Sequence, residues 1–397
     1  MQQQANQSAS ESIMQPGTGF WPSKILLAAV NFQLFTHLAD TNVKPAQPIK
    51  TLCNLKCACR NIRDFLASLT VFGFLHLNWI KMKKILLCLL ILSAFSGNSQ
   101  TLRQKQLAPA GNTNGKEPAK IIDMHIHSYD AKHFNNQPKD YYGNKGSANM
   151  ETHFTETYEA LRKFNIVKAV VSGTVTSVDE WKAKDTDNRI IRGIAINHPA
   201  DDGMDSTRFE NLVKNGLVEI FGEVGAYYSG TTLSDAVWQP YLRICQKYDI
   251  PVAVHTGGGD PGGTYSWSPK ARLTLGDPYL MEDVLVKYPK LRIYIMHSGE
   301  DWHEHALRLM AYYPQLYSDL GAMLWVEPLT QRYVKDFLMN AKQAGYLDRV
   351  MFGSDQMTWP YAIQKSIEYL NSLDFLSEKD KQNIFYNNAA RFLKLKK

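Results

Sequence analysis

The sequence predicts an α/β protein in which residues 120–397 form one (β/α)8 barrel of the TIM type, as a single catalytic domain. Two observations predict this fold. Short apolar runs of strand character alternate with amphipathic helical stretches, and several of these runs end on His, Asp or Glu. A closed barrel gathers the ends of all its strands around one centre, whereas an open sheet brings only a few together at its switch point.

The eight predicted strands are short runs rich in branched and aromatic apolar residues. Almost continuous apolar runs of this kind are typical of strands that are buried on both faces of a parallel sheet. They cover residues 120–127, 166–173, 189–196, 217–224, 250–255, 291–297, 316–321 and 349–354.

Apolar residues at helical spacing, often preceded by Ser, Thr, Asp or Pro, predict helices between the strands. These helices cover 156–164, 206–214, 235–248, 278–288, 302–313, 328–346 and 359–370, and residues 377–395 form a last helix. The longest connections, 128–155 and 256–276, carry Tyr141 and Tyr142 and Tyr265 and Trp267, respectively, and their aromatic content predicts substrate loops.

The first 99 residues are basic, whereas the rest of the chain is neutral. They hold nine Lys and Arg against three Asp and Glu, and the remainder carries 35 of each, so the whole net charge of +6 lies in this segment. The neutral body gives no indication that it binds nucleic acid or an anionic membrane surface. We therefore expect a small-molecule substrate as its partner, while the sequence leaves the oligomeric state open.

Residues 82–99 are typical of a secretory signal peptide, because Lys83 and Lys84 precede an apolar core that ends in small polar residues. The alternative is a buried helix, or half of a membrane hairpin with residues 65–80. A signal peptide starting at Met82 makes residues 1–81 an over-extended gene start or a disordered segment. Residues 100–119 are then a flexible linker. On this interpretation the mature protein is periplasmic or secreted and has no stable membrane anchor.

The strand at 120–127 places Asp123, His125 and His127 on one face, since side chains alternate along a strand. Two imidazoles at this spacing can bind one divalent cation through neutral nitrogens. Four further residues of metal-ligand type close other predicted strands, and a barrel would bring them to the same mouth. They are Glu223, His255, His297 and Asp355.

Five short motifs around these residues resemble those of the amidohydrolase superfamily, and the nearest branch is the amidohydrolase-related group. They are Asp-Met-His-Ile-His at 123–127, Gly-Glu-Val-Gly at 222–225, His-Thr-Gly at 255–257, His-Ser-Gly at 297–299 and Phe-Gly-Ser-Asp at 352–355. The resemblance covers the body from about residue 120 to 397. It implies a distorted barrel with one or two divalent metal ions, commonly zinc.

The resemblance also implies roles for the six residues. His125, His127 and Asp355 would bind a first metal, His255 and His297 a second, and Glu223 stands where some relatives bridge the two. Asp355 would in addition accept a proton from water and pass it to the leaving group. No lysine closes the fourth strand, so the carbamylated-lysine bridge of other relatives is absent. In one-metal relatives the histidine in the position of His297 acts as an acid instead.

Three functions are compatible with these residues. The first is an exported metal-dependent hydrolase that uses a metal-activated water to cleave an amide, ester or lactone of a small organic molecule. The second is a metal-dependent non-oxidative decarboxylase of the same superfamily. The third is a binding protein without activity that has kept the barrel. Glu223 favours the first, because a bridging carboxylate serves two metals, and the complete set of histidines and acids disfavours the third.

Overall fold

The computed structural model describes residues 119–135, 139–200 and 203–395. The predicted gene start at 1–81, the signal peptide at 82–99 and nearly all of the linker at 100–119 lie outside the described residues, so these boundaries stay predictions. Within the described ranges, no helix combines the length and the apolarity that crossing a membrane requires.

Eight parallel strands form one sheet in which each strand pairs with the next along the chain, from the first to the eighth. The prediction of a (β/α)8 barrel is therefore confirmed. The strands are β1 (Ile121–His127), β2 (Ile166–Gly173), β3 (Ile190–Ile196), β4 (Ile220–Val224), β5 (Val252–Val254), β6 (Ile293–Ile295), β7 (Leu316–Asp319) and β8 (Val350–Met351).

Helices connect the strands and cover the outside of the sheet. In the described residues they are α1 (Met150–Lys163), α2 (Val175–Ala183), α3 (Ser206–Lys214), α4 (Gln239–Tyr248), α5 (Glu282–Lys287), α6 (His303–Tyr312), α7 (Pro328–Ala344), α8 (Tyr361–Ser372), α9 (Glu378–Gln382) and α10 (Asn388–Phe392). Their apolar stripes pack on the sheet. Phe209 of α3, for example, is fully buried with its ring 4.7 Å from that of Phe221 on β4.

Three helices differ from the sequence prediction. Helix α2 was not predicted, because its nine residues have a weak apolar face, in which only Val178 and Trp181 are fully buried apolar side chains. Thr174 starts the helix by capping the Ser177 amide. Helix α1 begins at Met150, inside the predicted loop 128–155, since Asn149 caps the Thr152 amide. The last predicted helix is divided by one wider turn at Asn383–Asn387.

The interior of the barrel is filled, not hollow. Ile122, Met124, Val170 and Met296 belong to a buried cluster that also takes in Phe392 from α10. The Phe392 ring lies edge-on to Tyr294, with the ring centres 5.4 Å apart. The aromatic packing closes the end of the barrel at which the strands begin, so a ligand has access only at the end where they finish.

A seam between β8 and β1 completes the barrel. Met124 N donates to Phe352 O at 2.9 Å, and Asp355 N donates to His125 O at 2.7 Å. The buried carboxylate of Asp123 reinforces the seam by accepting from the backbone amides of His125 and Ser354, both at 3.0 Å. First and last strands are thus joined beside the residues predicted to bind metal.

Candidate metal centre

The structure brings all six predicted site residues together at the carboxyl end of the barrel. His125 and His127 lie on β1 and Glu223 on β4. His255 directly follows β5, and His297 and Asp355 lie in the short segments after β6 and β8. None of the six is more than 9% exposed. Burial of this many ionisable groups is stable only where they are paired with each other or with a cation.

His125, His127 and Asp355 form a first group of candidate ligands. The Nε2 atoms of the two histidines are 3.1 Å apart, and Oδ1 of Asp355 lies 3.1 Å from Nε2 of His127 and 3.6 Å from Nε2 of His125. Two nitrogens and one oxygen therefore face a common point.

Glu223 connects this group to the other two histidines. Its Oε2 lies 3.2 Å from Nε2 of His127, and its Oε1 lies 2.5 Å from Nδ1 of His255 and 3.6 Å from Nε2 of His297. Nε2 of His297 is in turn 3.2 Å from Nδ1 of His255. The two oxygens of one carboxylate thus face two different pairs of imidazoles.

Three of the histidines are fixed by an acceptor on their outer side. Nδ1 of His125 donates to Asp319 Oδ2 at 3.0 Å, Nδ1 of His297 to Gly321 O at 3.0 Å, and Nε2 of His255 to Gly258 O at 2.7 Å. A ring nitrogen that donates outwards leaves the lone pair of the other nitrogen directed inwards in the neutral imidazole. The outer hydrogen bonds therefore select the tautomer that a metal ligand needs.

A divalent cation fits this arrangement of donors. Oδ1 of Asp355 is buried and makes no hydrogen bond within the described part of the chain, and the inward imidazole nitrogens face each other and carboxylate oxygens. Neutral lone pairs and anionic oxygens at these separations need a positive charge between them. Imidazole and carboxylate are the protein ligands typical of zinc and other divalent transition metals.

The same charges shift the pKa values of the site residues in the absence of metal. Burial lowers the pKa of His125, but the carboxylates of Asp355 and Asp319 outweigh it and hold that pKa well above its usual value. Burial raises the pKa of Glu223, and hydrogen bonds from the four histidines overcome this and hold it well below its usual value. Without a metal ion, protons on the imidazoles thus balance the negative charge of the carboxylates. Binding of a metal ion would release these protons.

Left-handed backbone positions two of the site residues. His297 has φ 61° and Asp355 has φ 48°, a region that residues with a Cβ seldom adopt. Conformations of this kind cost of order 1–3 kcal/mol each and persist only where surrounding contacts impose them. Here the Asp355 amide is held by His125 O and the His297 amide by Asp319 Oδ1 at 2.9 Å.

Several residues of the site were not identified from the sequence. Asp319 accepts hydrogen bonds from the ring of His125 and the backbone amide of His297. Gln356 holds the backbone of His127. The rings of Tyr129 and Tyr228 lie 5.6 Å from that of His127 and 4.7 Å from that of His255. None of these residues belongs to one of the five motifs, so only their places at the end of β7 and after β1, β4 and β8 could have indicated them.

Three histidines outside the candidate metal centre, His198, His303 and His305, make local contacts. His198 accepts from the Ala200 amide through Nδ1 in the loop after β3. On α6, His303 Nδ1 donates to Glu300 O, whereas His305 Nδ1 pairs with Asp277 at 2.8 Å. The partners of His303 and His305 differ, and neither residue belongs to a group of candidate metal ligands.

A closed barrel with histidines and acids converging at the carboxyl ends of its strands defines a class of metal-dependent TIM-barrel enzymes. A family model described as amidohydrolase matches residues 122–395, and the chain belongs to this family. Membership confirms the resemblance on which the sequence prediction rested. The family and the His and Asp groups together support a divalent metal ion.

Solved structures that resemble this chain have little sequence in common with it. An uncharacterised TIM-barrel protein from Bordetella bronchiseptica is 19% identical with a TM-score of 0.52, over 69% of this chain and 98% of that one. A probable 2-pyrone-4,6-dicarboxylic acid hydrolase from Acinetobacter baumannii is 14% identical with a TM-score of 0.48, over 70% and 100%. The 2,6-dihydroxybenzoate decarboxylase from Rhizobium is 15% identical with a TM-score of 0.47, over 70% and 99%. No curated protein matches the chain.

Proposed function

We propose that the chain is an exported metal-dependent hydrolase that uses a metal-activated water to cleave an amide, ester or lactone bond of a small organic molecule. The position of the Glu223 carboxylate carries this proposal. Its Oε2 faces His127 at 3.2 Å while its Oε1 faces His255 at 2.5 Å, so the two oxygens would be available to two different cations. Paired metal sites are typical of hydrolytic enzymes that activate water.

In this proposal His125, His127 and Asp355 would hold one cation, and Glu223, His255 and His297 would hold another. A divalent cation bound there would supply Lewis acidity, which makes water a nucleophile near neutral pH and polarises a substrate carbonyl. The Asp355 carboxylate accepts a proton from the attacking water and returns it to the departing nitrogen or oxygen. Its low pKa suits it to be ionised when the water arrives, since burial, which raises that pKa, is outweighed by His125 and His127.

We propose zinc as the resident metal. Four imidazole nitrogens and two carboxylates form the donor set, and zinc binds such mixed nitrogen and oxygen ligands with flexible coordination number. Loading the metal-free protein with zinc and with manganese in parallel, and measuring the affinity for each, tests this choice. Tighter retention of manganese in the same protein would contradict it.

The number of metals distinguishes the hydrolase from the decarboxylase. We expect elemental analysis of protein expressed from Gln100 to give about two metals per chain, falling to one or none in Glu223→Ala, because that carboxylate contributes to both groups. Glu219→Gln is a matched control, since Glu219 is exposed near the opposite end of the same strand and bonds the Arg192 amide. One metal that survives in Glu223→Ala would move the proposal to the one-metal decarboxylase with His297 as the acid.

Activity then tests the reaction class. The zinc-loaded protein should hydrolyse members of a panel of aryl esters, lactones and anilides, and Asp355→Asn should reduce the turnover number by at least about a hundredfold. Release of carbon dioxide from aromatic acids, with no hydrolysis of any member of the panel, would contradict the proposal.

Export rests on the sequence of residues 82–99 alone. Expression of the chain from Met82 in a bacterial host should yield a periplasmic protein whose N-terminus, read by mass spectrometry, lies at or within a few residues of Gln100. Retention of the full segment in a cytoplasmic product would contradict this part of the proposal.

A further inference from the structure

The side chain of Thr256 connects the two segments that carry the candidate ligands His255 and His297. Thr256 directly follows His255 and is 3% exposed. Its hydroxyl donates to Met296 O at 2.5 Å and accepts from the Gly299 amide at 3.1 Å. A single hydroxyl has one donor and two acceptor positions, and here the donor and one acceptor are used on either side of His297.

The segment that Thr256 holds is a tight left-handed turn. His297, Ser298 and Gly299 have φ of 61°, 48° and 78°, a region that residues with a Cβ seldom adopt. Such a turn persists only where contacts from outside impose it. The Thr256 hydroxyl spans the turn, since Met296 O lies before the first of these three residues and the Gly299 amide belongs to the third.

Contacts on the other side of this turn lead to a different part of the centre. Ser298 Oγ donates to Asp319 O at 2.5 Å, and the His297 amide donates to Asp319 Oδ1 at 2.9 Å. Asp319 also accepts from the ring of His125, which belongs to the first group of candidate ligands. The turn is therefore held from two directions. Asp319 ties it to β7 and to the first group, whereas the Thr256 hydroxyl ties it to the segment after β5.

A second hydrogen bond joins the segments after β5 and β6. The Gly258 amide donates to Oε2 of Glu300 at 2.8 Å, and Gly258 O accepts from Nε2 of His255 at 2.7 Å. The backbone approaches closely here, because a Cβ added to Gly257 would meet Cβ and Cγ of Glu300 at 2.8 Å. The Glu300 contact thus fixes the outer side of His255, whereas the Thr256 hydroxyl fixes the turn after β6 itself.

We infer that Thr256 is a positioning residue, whose hydroxyl sets the spacing of His255 and His297 so that both rings can bind one cation. The inference rests on the proposed function, which assigns one cation to Glu223 and these two histidines. Nε2 of His297 lies 3.2 Å from Nδ1 of His255, a separation that suits two nitrogen ligands of one ion. Removal of the hydroxyl should weaken this site alone, because the first group of ligands is held from β7 and β8.

Thr256→Val tests the inference, because it removes the hydroxyl and keeps the shape of the side chain. Titration of the zinc-loaded protein against a competing chelator should show that the zinc held by His255 and His297 binds about 10- to 100-fold more weakly, while the other binds as in the wild type. Thr256→Ser keeps the hydroxyl and should retain both ions. Thr330→Val is the matched control, since Thr330 is similarly buried and its hydroxyl donates to Glu327 O at the start of α7.

The possible outcomes separate the inference from the function on which it rests. Two zinc ions of unchanged affinity in Thr256→Val would overturn the inference and leave the hydrolase intact. Equal weakening in Thr256→Val and Thr256→Ser would overturn it too, and so would loss of both ions or of the circular dichroism spectrum, since the hydroxyl would then support the whole fold. Selective loss of one zinc, in a protein whose wild type hydrolyses no ester, lactone or anilide, would uphold the positioning role and refute the hydrolase. A single zinc in the wild type would refute both.

Discussion

The side-chain amide of Gln356 holds both backbone polar groups of His127. His127 N donates to Oε1 of Gln356 at 2.9 Å, and Nε2 of Gln356 donates to His127 O at 2.8 Å. Gln356 is fully buried and directly follows Asp355. The Gln356 side chain therefore fixes the end of β1 relative to the segment after β8. It thereby also fixes the distance between His127 and Asp355.

Gln356→Met should lower the free energy of unfolding by about 2–4 kcal/mol, because it leaves a buried amide and a buried carbonyl without partners. It should also weaken zinc binding about 10- to 100-fold, since His127 is no longer held in place. Urea denaturation and titration against a competing chelator measure the two effects. Gln364→Met, which loses only contacts with the exposed side chains of Lys163 and Glu368, should change neither. Wild-type zinc affinity in Gln356→Met would contradict the positioning role.

Asp319→Asn should reduce zinc affinity about 10- to 100-fold while the protein stays folded. The carboxylate accepts from the His125 ring through Oδ2 and from the amides of His297 and Gly321 through Oδ1. An amide can present its NH2 group to Nδ1 of His125, and that hydrogen bond would favour the tautomer whose Nε2 carries the proton. Chelator competition measures the affinity, and circular dichroism the fold. Asp336→Asn on the exposed face of α7 should bind zinc like the wild type, and equal affinity in both variants would refute the tautomer argument.

Gly321→Ala should remove most of the bound metal. A Cβ at this position would lie 2.3 Å from Nδ1 of His125, closer than any real contact, so the imidazole or the β7 turn must move. We also expect stability to fall by about 1–3 kcal/mol from overpacking. Gly263→Ala is the control, because its nearest neighbour would be Trp267 at 3.5 Å, an ordinary contact. Full metal content in Gly321→Ala would mean that the site tolerates a displaced His125.

His153 should make the protein sensitive to acid. Burial lowers its pKa to about 3, a backbone hydrogen bond with Met357 partly opposes this, and His127 and His133 lower it again. The unfolded chain takes up this proton near pH 6.5, so each unit of acidification below that value favours unfolding by about 1.4 kcal/mol. Between pH 7 and 5 the wild type should therefore lose about 2 kcal/mol more stability than His153→Gln. Urea denaturation midpoints of both proteins across this pH range measure the difference. The prediction would be refuted if the stability of the two proteins depended on pH in the same way.

The strands were predictable because burial on both faces demands continuous apolar runs, which the sequence displays directly. Residues 217–224 illustrate this: the run ends at Val224 in both the prediction and the structure. Helix α2 was not predictable by the same criterion, since Val178 and Trp181 are its only fully buried apolar side chains and its start depends on the Thr174 cap. Local hydrogen bonds of this kind leave little trace in hydrophobic periodicity.

In the candidate site, the sequence predicted the candidate metal ligands but not the residues that orient them. His125 and His127 were predictable because two histidines one residue apart on a strand are a known pattern of metal ligands. Gln356 and Asp319 act through contacts across the barrel with residues far away in sequence, such as the 229 positions between Gln356 and His127. A contact of that separation follows only from the closed fold.

The seam between β8 and β1 means that the candidate metal site can be completed only late in translation. His125 and His127 are made early in the body, yet Asp355 and Gln356, which complete and fix their group, are made some 230 residues later. A nascent chain therefore carries these two histidines without Asp355 and Gln356 through most of its synthesis. The group of His125, His127 and Asp355 can form only after the segment beyond β8 has been made and the barrel has closed. A shortened product lacking β8 would keep the histidines and never assemble the centre.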